Sequence, residues 1–334
     1  MPVKVRWGVL GAAHIALTKV VPAMQRGAWS EIVALASRDL ARARHAATSL
    51  GVPTAYGSYE ELLDDPSIEA VYIPLPNHLH VPWATKAAER GKHVLCEKPI
   101  ARSALEAERL LGVRDATGVK IQEAFMIRSH PQWRRAVDLV RDETLGRVQS
   151  IIGHFSYHNV DPGNVRNVPD FGGGGLADIG CYLVHTARWL LDREPRRVVS
   201  LIETDPAFGT DRLASMLLDF GDVQVTAMCA TQLVPSQRVH VFGTKARLEI
   251  EIPFNAPPDR PCRLFVDDGS SLAGDGRRTI EIPVCDQYTL QGDDFSRAIR
   301  LGHDQALPLE SSVANMRVLD AIGRSAAAGE WQAL

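Results

Sequence analysis

The stretch VRWGVLGAAHIA, residues 5–16, decides the class of fold. Its first half, Val5–Leu10, is apolar and predicts a short buried strand. Gly11 then permits a tight turn, and the small Ala16 lets a helix pack closely on the strand. Backbone amides at such a helix start bind the pyrophosphate of a dinucleotide. Because Ala13 replaces the middle glycine of G-x-G-x-x-G/A, a plain strand-to-helix turn stays open as the alternative. The predicted cofactor-binding turn consists of Gly11, Ala12, Ala13, His14 and Ile15.

The rest of the chain divides into two patterns. Up to about residue 125, strand signals alternate with helix signals, which predicts βαβ units and a mostly parallel sheet. Beyond that point strands follow one another across short turns such as Gly221-Asp222, which predicts antiparallel pairing. We therefore predict an α/β domain of the Rossmann type over residues 1–125. Residues 126–334 are predicted to form an α+β domain with a large, mostly antiparallel open sheet for substrate binding and oligomerisation, and whether the last helices pack back on the first domain is left open.

Composition narrows the class of protein. The 334 residues are 45% hydrophobic and 23% charged, as in ordinary globular proteins, and the net charge of −3 argues against nucleic-acid binding. The five cysteines are scattered without a CxxC pair, so we predict no metal site and no disulfide framework. No apolar run is long enough to span a membrane, and the first strand begins without signal-peptide features. We expect a cytoplasmic protein.

The end of the second strand bears on the type of nucleotide. It reads Ala36-Ser37-Arg38, where an NAD enzyme usually has an acidic residue to hold the ribose hydroxyls. The Ser37 hydroxyl and the Arg38 guanidinium can instead bind a 2′-phosphate, and Arg42 follows one turn later. This chemistry favours NADP over NAD, with Arg38 as a solvated loop charge as the alternative.

Two later strands also end in notable residues. In a doubly wound sheet, ligands lie beyond the carboxyl ends of the strands. One strand ends at Pro74-Leu75-Pro76-Asn77 and the next at Glu97-Lys98-Pro99. Pro99 stops the strand and restricts the backbone of Lys98, whose ammonium can bond a substrate hydroxyl or lower the pKa of a neighbour. A surface ion pair between Glu97 and Lys98 is the alternative.

A second stretch, FGGGGLADIGCYLVHTARWLL at residues 171–191, carries groups that can transfer protons. The glycines permit a close backbone approach to a ligand and a sharp entry into a helix. Asp178, Tyr182 and His185 are spaced i, i+4 and i+7, so a regular helix presents them on one face. A capping aspartate, a core tyrosine and a buried histidine remain the simpler interpretation of each residue alone.

Taken together, these stretches resemble the Gfo/Idh/MocA oxidoreductase family. The resemblance rests on the dinucleotide turn, PNHLHVPWATKAAERGKHVLCEKP, EAFMIRSHPQW and GGGGLADIGCY, and it covers nearly the whole chain. Many members have a catalytic histidine where this chain has Tyr182. Tyrosine there is similar to the branch of glucose–fructose oxidoreductase, NADP-dependent xylose dehydrogenase and dimeric dihydrodiol dehydrogenase. Because that pattern expects aspartate at position 185, the resemblance leaves the role of His185 open.

The resemblance implies further site residues. Asn77 and His80 are implied to lie near the nicotinamide, and Arg166 is implied to belong to the cofactor site together with Pro74, Leu75 and Glu97. Lys98 and Tyr182 are the implied proton-transfer pair, with Asp178 beside them. A phenol titrates near pH 10 and needs a cation within about 4–6 Å to act as a base at neutral pH. Further candidates for the substrate pocket are Arg128, Tyr157 and His185.

We therefore predict an NADP-dependent oxidoreductase that acts on a sugar-like cyclic polyol. The favoured reaction is oxidation of an aldopyranose to its lactone. A trans-dihydrodiol dehydrogenase and a 3-ketosugar reductase remain open, as does a non-catalytic NADP-binding sensor. A homodimer or homotetramer is predicted through the C-terminal sheet.

Overall fold

The structure is a computed structural model that describes residues 3–334. The chain forms two compact units, one containing the residues through Ser129 together with Asp286–Val313, and one containing His130–Cys285 together with Ala314–Leu334. In chain order the strands are β1 (Val5–Leu10), β2 (Ser30–Ala36), β3 (Thr54–Tyr56), β4 (Ala70–Ile73), β5 (His93–Cys96), β6 (Ile121–Glu123), β7 (Val148–His158), β8 (Arg197–Thr204), β9 (Asp211–Asp219), β10 (Gln224–Ala230), β11 (Gln232–Gly243), β12 (Arg247–Ile250), β13 (Cys262–Asp267), β14 (Arg277–Ile282) and β15 (Gln332–Ala333). The α-helices are α1 (Val21–Gln25), α2 (Leu40–Leu50), α3 (Tyr59–Asp64), α4 (His80–Glu89), α5 (Ala104–Thr117), α6 (Pro131–Arg141), α7 (Cys181–Leu191), α8 (Gln287–Leu301) and α9 (Leu309–Ala328).

The first unit is built on a parallel sheet in the order β3-β2-β1-β4-β5-β6. Apart from Arg6, every residue of the central strand β1 is buried, as its apolar sequence predicts. Trp7 is fully buried, and its indole N–H donates to the Ser296 hydroxyl at 3.0 Å. Three helices are capped by a side chain that accepts N–H groups from their first turn. The capping residues are Asp39 for α2, Ser58 for α3 and Ser103 for α5. The prediction of a Rossmann-type α/β sheet is confirmed.

Helix α8 begins earlier than the sequence predicts. The apolar pattern indicates a start at residue 293, because Gly292 is an unfavourable residue inside a helix. The structure begins the helix at Gln287, where Asp286 caps it by accepting the N–H of Tyr288. A Cβ at position 292 would lie 2.8 Å from Cγ of Met24, so glycine allows α8 to pack tightly at this point.

The second unit is built on a nine-stranded sheet in the order β14-β13-β12-β11-β7-β10-β9-β8-β15. Its pairs are antiparallel except for β7 with β10, which confirms the prediction of a mostly antiparallel sheet. The sequence analysis misses β13 and β14. Strand β14, RRTIEI, is largely polar and lies at the sheet edge, where few buried residues mark a strand.

The two faces of this sheet differ in exposure. One face is buried and includes Ile151, Val225 and Leu218, which neighbour one another across the strands. The opposite face carries Ile152, Thr226 and Leu217 in the next register positions. Ile152 and Leu217 are each 43% exposed, and Leu201 of β8 is 79% exposed. The second unit therefore presents an apolar sheet surface.

A search of residues 3–334 finds no helix with the length and apolar character needed to cross a membrane. All five cysteines are free thiols, and four of them are buried.

Candidate active site

The turn after β1 is shaped by Gly11. Its φ of +115° favours glycine, and a Cβ here would lie 2.9 Å from Cδ2 of Leu75. The Gly11 N–H donates to the Ala36 carbonyl at 2.9 Å, which joins the turn to the end of β2. Ala12 and Ala16 are buried. The helical segment then passes through a π turn, Ala16–Val20, before α1. A bulky residue in this turn would displace Leu75, so the turn accepts only a small residue.

Two arginines lie beside this turn. The positive charge of Arg38 acts on the Tyr59 phenol, and Arg42 Nη2 donates to the Ala12 carbonyl at 3.0 Å. Burial raises the pKa of Tyr59, and the two guanidinium groups oppose that rise. The Tyr59 hydroxyl lies 3.7 Å from the position of a Cβ on Gly11. Two cations and a phenol therefore surround the start of the dinucleotide turn.

The residue directly after β2 is Ser37, so the position where a carboxylate would oppose the charge of these arginines holds a hydroxyl. Ser37 is buried, and its hydroxyl accepts the Asp39 N–H at 3.4 Å. The Asp39 carboxylate accepts the N–H groups of Ala41 and Arg42, so it caps α2. The Ser37–Arg38–Arg42 group thus fits a 2′-phosphate, with one hydroxyl and two guanidinium groups as donors.

The loop after β5 carries Lys98 and is held on both sides. Glu97 accepts the Tyr72 hydroxyl at 2.7 Å, and burial raises the pKa of Tyr72 well above its usual value, so the phenol remains the donor. On the far side, the buried Glu123 carboxylate accepts the Ile100 N–H at 2.8 Å. Lys98 itself is partly buried, and its peptide bond to Pro99 is cis. The backbone around Lys98 is therefore fixed by two acidic side chains.

His80 links the ends of β4 and β5. Its Nδ1 lies 2.7 Å from the Pro99 carbonyl, and its Nε2 lies 2.6 Å from the Leu75 carbonyl. The ring is completely buried; burial lowers the pKa of His80 to about 4, although its hydrogen bonds to the two carbonyls oppose that fall. This placement favours a supporting role for His80. Asn77 begins the short 3₁₀ turn Asn77–Leu79 that precedes it. Direct contact of Asn77 and His80 with a cofactor stays a prediction.

In the second unit, Asp178 lies among polar groups. The Tyr157 hydroxyl donates to Asp178 Oδ2 at 2.7 Å, and Arg166 Nε lies 2.8 Å from the same oxygen. Burial, followed by the negative charge of Asp178, raises the pKa of Tyr157 far above its usual value. Tyr157 therefore stays protonated and serves as a donor, which makes it a poor proton acceptor.

Tyr182 lies in an aromatic cluster of the same unit. Its ring centroid is 5.3 Å from that of Phe254 and 6.0 Å from that of Phe155. Only 4% of Tyr182 is exposed. These contacts hold the orientation of the ring. His185 is also buried, with its ring centroid 6.1 Å from that of Trp189.

The helical stripe of Asp178, Tyr182 and His185 is interrupted by a π turn. Asp178 belongs to the π turn Leu176–Gly180, and the Cys181 N–H reaches back to the Leu176 carbonyl. The other two residues lie in α7. An i→i+5 bond adds a residue to the turn, so the i, i+4 spacing of a regular helix does not describe this segment. Such bulges occur often at functional sites.

Two glycines of the run lie tightly against other parts of the chain. A Cβ on Gly173 would lie 2.4 Å from the Arg166 carbonyl oxygen, and one on Gly174 would lie 1.9 Å from Asp211 Oδ1. The space beside these two glycines is therefore filled by the protein itself. Glycine is needed here so that Asp211 can approach the backbone.

Arg128 makes hydrogen bonds within the first unit. Its Nε and Nη2 donate to the Ala306 carbonyl at 3.1 and 2.6 Å.

The predicted site residues are divided between the two units. The first unit holds the turn residues, Ser37, Arg38, the strand-end residues, Lys98 and Arg128. The second unit holds Tyr157, Arg166, Asp178, Tyr182 and His185.

The sequence analysis misses Tyr59, Tyr72, Glu123 and Asp211. A charged residue at the end of a buried strand is a usable signal for Glu123. The sequence gives no signal for Asp211, which is more than thirty residues from the glycines that it contacts.

Comparison with known proteins identifies the family. Residues 5–125 match the family model described as "Oxidoreductase family, NAD-binding Rossmann fold", and residues 133–249 match the "GFO/IDH/MocA C-terminal domain". The chain belongs to the Gfo/Idh/MocA oxidoreductase family. The predicted family and the prediction of an NAD(P)-dependent oxidoreductase are thereby confirmed.

Two members of the Gfo/Idh/MocA family show high similarity over nearly their whole length. An uncharacterized oxidoreductase of Rhizobium meliloti is 49% identical, with 98% of each chain covered. The D-xylose 1-dehydrogenase (NADP(+)) 2 of Haloferax volcanii is 40% identical, covering 97% of this chain and 98% of the relative.

Two solved structures of Gfo/Idh/MocA proteins have the same fold over the whole chain. The aldose-aldose oxidoreductase from Caulobacter crescentus, complexed with glycerol, has a TM-score of 0.91 and 28% identity over 99% of this chain and 100% of that one. A 3-ketoreductase from Actinomadura kijaniata, in complex with NADP and TDP-benzene, has a TM-score of 0.89 and 27% identity over 96% and 98% of the two chains. The sequence predicts NADP as the cofactor. The Actinomadura complex contains NADP and the Haloferax relative is named as an NADP(+) enzyme, which agrees with this prediction.

Proposed function

We propose that this protein is an NADP-dependent aldose 1-dehydrogenase that oxidises an aldopyranose to its lactone. The full-length similarity to the NADP-dependent D-xylose 1-dehydrogenase of Haloferax volcanii carries this proposal. The two guanidinium groups beside the dinucleotide turn, contributed by Arg38 and Arg42, support the choice of cofactor.

The fit to NADP depends on residues of the first unit. The backbone amides of the turn that begins at Gly11 would bind the pyrophosphate, and Ser37, Arg38 and Arg42 would hold the 2′-phosphate. Bound NADP⁺ supplies a hydride acceptor.

Three side chains take part in the chemistry of the proposed reaction. Tyr182 takes the proton from the C1 hydroxyl of the sugar, and Lys98 contributes the positive charge that stabilises the phenolate. Asp178 accepts a hydrogen bond from a neighbouring sugar hydroxyl. Tyr157 and Arg166 hold the Asp178 carboxylate in place with their hydrogen bond and ion pair.

The substrate is tested by a turnover screen. Purified protein is incubated with NADP⁺ and D-xylose, hexoses, inositols or a trans-dihydrodiol, and NADPH formation is followed at 340 nm. The proposal expects the highest kcat/KM with an aldopyranose. Turnover confined to the trans-dihydrodiol or to an inositol would contradict it.

A 3-ketosugar reductase is the second candidate function. It is favoured by the similarity to the Actinomadura kijaniata 3-ketoreductase and to a dTDP-3,4-didehydro-2,6-dideoxy-alpha-D-glucose 3-reductase from the same organism, 37% identical over 95% of this chain. Oxidation of NADPH by a nucleotide-linked 3-ketosugar, with no activity on free aldoses, would select this reaction. NADPH binding without turnover of any substrate would favour the remaining alternative, a non-catalytic NADP-binding sensor.

Replacing both arginines is expected to change nucleotide preference. The variant R38A/R42A loses two charge-assisted contacts to the 2′-phosphate, and its Kd for NADPH should rise about 100-fold. The Kd for NADH, which lacks that phosphate, should change less than about threefold. Fluorescence titration measures both constants. An equal loss of NADPH and NADH affinity would place the 2′-phosphate elsewhere.

We also propose that the protein dimerises through the exposed face of the nine-stranded sheet. The support is the apolar surface formed by Ile152, Leu201 and Leu217. The variant I152D/L217D should shift the mass measured by light scattering from dimer towards monomer. The control L105D alters a leucine of α5 that is 68% exposed and should leave the mass unchanged. A monomeric wild-type protein would contradict the proposal.

We further propose a cytoplasmic location, supported by the five free thiols. Immunodetection in fractions of the source cells tests it.

A further inference from the structure

Asp211 begins β9 and binds the backbone of the glycine run. Its Oδ2 accepts the Leu176 N–H at 2.6 Å. Its Oδ1 lies where a Cβ on Gly174 would clash, at 1.9 Å. The carboxylate therefore occupies the space beside the glycines and accepts the first amide of the π turn.

This bond fixes the start of the segment that carries the proposed catalytic groups. Leu176 is the first residue of the π turn, and Asp178 lies in that turn. The Asp178 N–H donates to the Gly174 carbonyl at 3.0 Å, so the backbone held by Asp211 is continuous with Asp178. Tyr182 follows in α7. A shift of the glycine run would be passed along the helix to both side chains.

The charge of Asp211 suits this role. The first amides of a helical segment lack partners within the helix and carry partial positive charge. A carboxylate that accepts such an amide gains a favourable interaction although it is partly buried. Burial, helped by the charge of Asp178, raises the pKa of Asp211, and its bonds to backbone amides oppose that rise.

We propose that Asp211 is a positioning residue for the reaction. Its carboxylate holds the backbone from which Asp178 and Tyr182 project, and it acts through that backbone without contacting the sugar. The inference rests on the proposed function, which assigns Asp178 and Tyr182 their parts in the reaction.

The test compares D211N with a matched control, D219N. The amide introduced by D211N keeps one acceptor oxygen but removes the negative charge. Asp219 lies at the opposite end of β9 and also accepts a backbone amide, from Gly221 at 2.7 Å. Thermal denaturation records the stability of both variants, so that kcat can be expressed per folded enzyme.

Hydrogen–deuterium exchange gives the first readout. Loss of a charged acceptor should reduce the protection of the Leu176 amide about tenfold or more in D211N. D219N should leave its protection unchanged. Retained protection in both D211N and the more severe D211A would overturn the proposal.

The kinetics with D-xylose and NADP⁺ give the second readout. D211N should lower kcat per folded enzyme about 10- to 100-fold, because a misplaced catalytic group costs rate steeply. The Kd for NADPH, a property assigned to the first unit, should remain within about twofold of the wild type. An unchanged kcat despite lost protection would also overturn the proposal. A wild type that does not oxidise D-xylose would contradict the proposed substrate, and the exchange experiment would still decide whether Asp211 holds the segment.

Discussion

Replacing Tyr182 with phenylalanine is expected to lower kcat by about 10²–10⁴-fold, the usual contribution of a general acid–base group. The substitution removes only the hydroxyl. The ring keeps its contacts with Phe155 and Phe254, so Y182F should fold normally. Steady-state kinetics with D-xylose and NADP⁺ measure the loss, and the Kd for NADPH should be unchanged.

Y157F is the matched control for this result. Tyr157 donates its proton to Asp178, and its raised pKa makes it unsuitable as a proton acceptor. We expect Y157F to lose less than about tenfold in kcat, because only one hydrogen bond to Asp178 disappears. If Y182F kept full kcat while Y157F lost activity, the assignment of the base would be wrong.

Replacing Lys98 with methionine should produce a second loss of similar size, about 10²–10⁴-fold in kcat. Methionine keeps much of the length and volume of the side chain but removes the ammonium that, in the proposed reaction, stabilises the phenolate. The backbone on either side remains held by Glu97 and Glu123. In the double variant K98M/Y182F the loss should be close to that of the worse single variant, because residues acting on one step are not additive.

Lys92 provides the control for the lysine substitution. Its ammonium donates to the carbonyls of Asp65 and Ile68 at 2.7 and 2.8 Å, a structural arrangement within the first unit. K92M should lower the melting temperature with little change in kcat per folded enzyme. Fully additive losses in K98M/Y182F would show that Lys98 and Tyr182 serve separate steps.

The sequence predicts the architecture well because its signals are local. The apolar β1 followed by Gly11 indicates the strand and turn, and Asp39 and Gly51 mark the two ends of α2, where the structure places the cap and a left-handed residue. Edge strand β14 escapes prediction because a largely exposed strand has few buried residues to mark it. The start of α8 is missed because Gly292 is needed for packing against Met24, a contact distant in sequence.

The candidate site is predictable only in part, because local sequence signals mark some of its residues and not the partners that hold them. Lys98, Tyr182, Ser37 and Arg38 stand at strand ends or on a helix, where residue type and position suggest chemistry. Their supports come from elsewhere in the chain, as with Asp211 at the glycine run. Such partners depend on tertiary contacts, which strand and helix signals do not encode. The π turn at Leu176–Gly180 likewise departs from the regular helical spacing that the sequence suggests.

The most direct test of the central claim is to follow the C1 hydrogen of an aldose. Wild-type protein is incubated with NADP⁺ and D-xylose deuterated at C1, and the products are examined by mass spectrometry and NMR. The account predicts deuterium at C4 of the NADPH formed, together with one equivalent of xylonolactone. Unlabelled NADPH, or no reaction with D-xylose alongside reduction of a 3-ketosugar by NADPH, would contradict it.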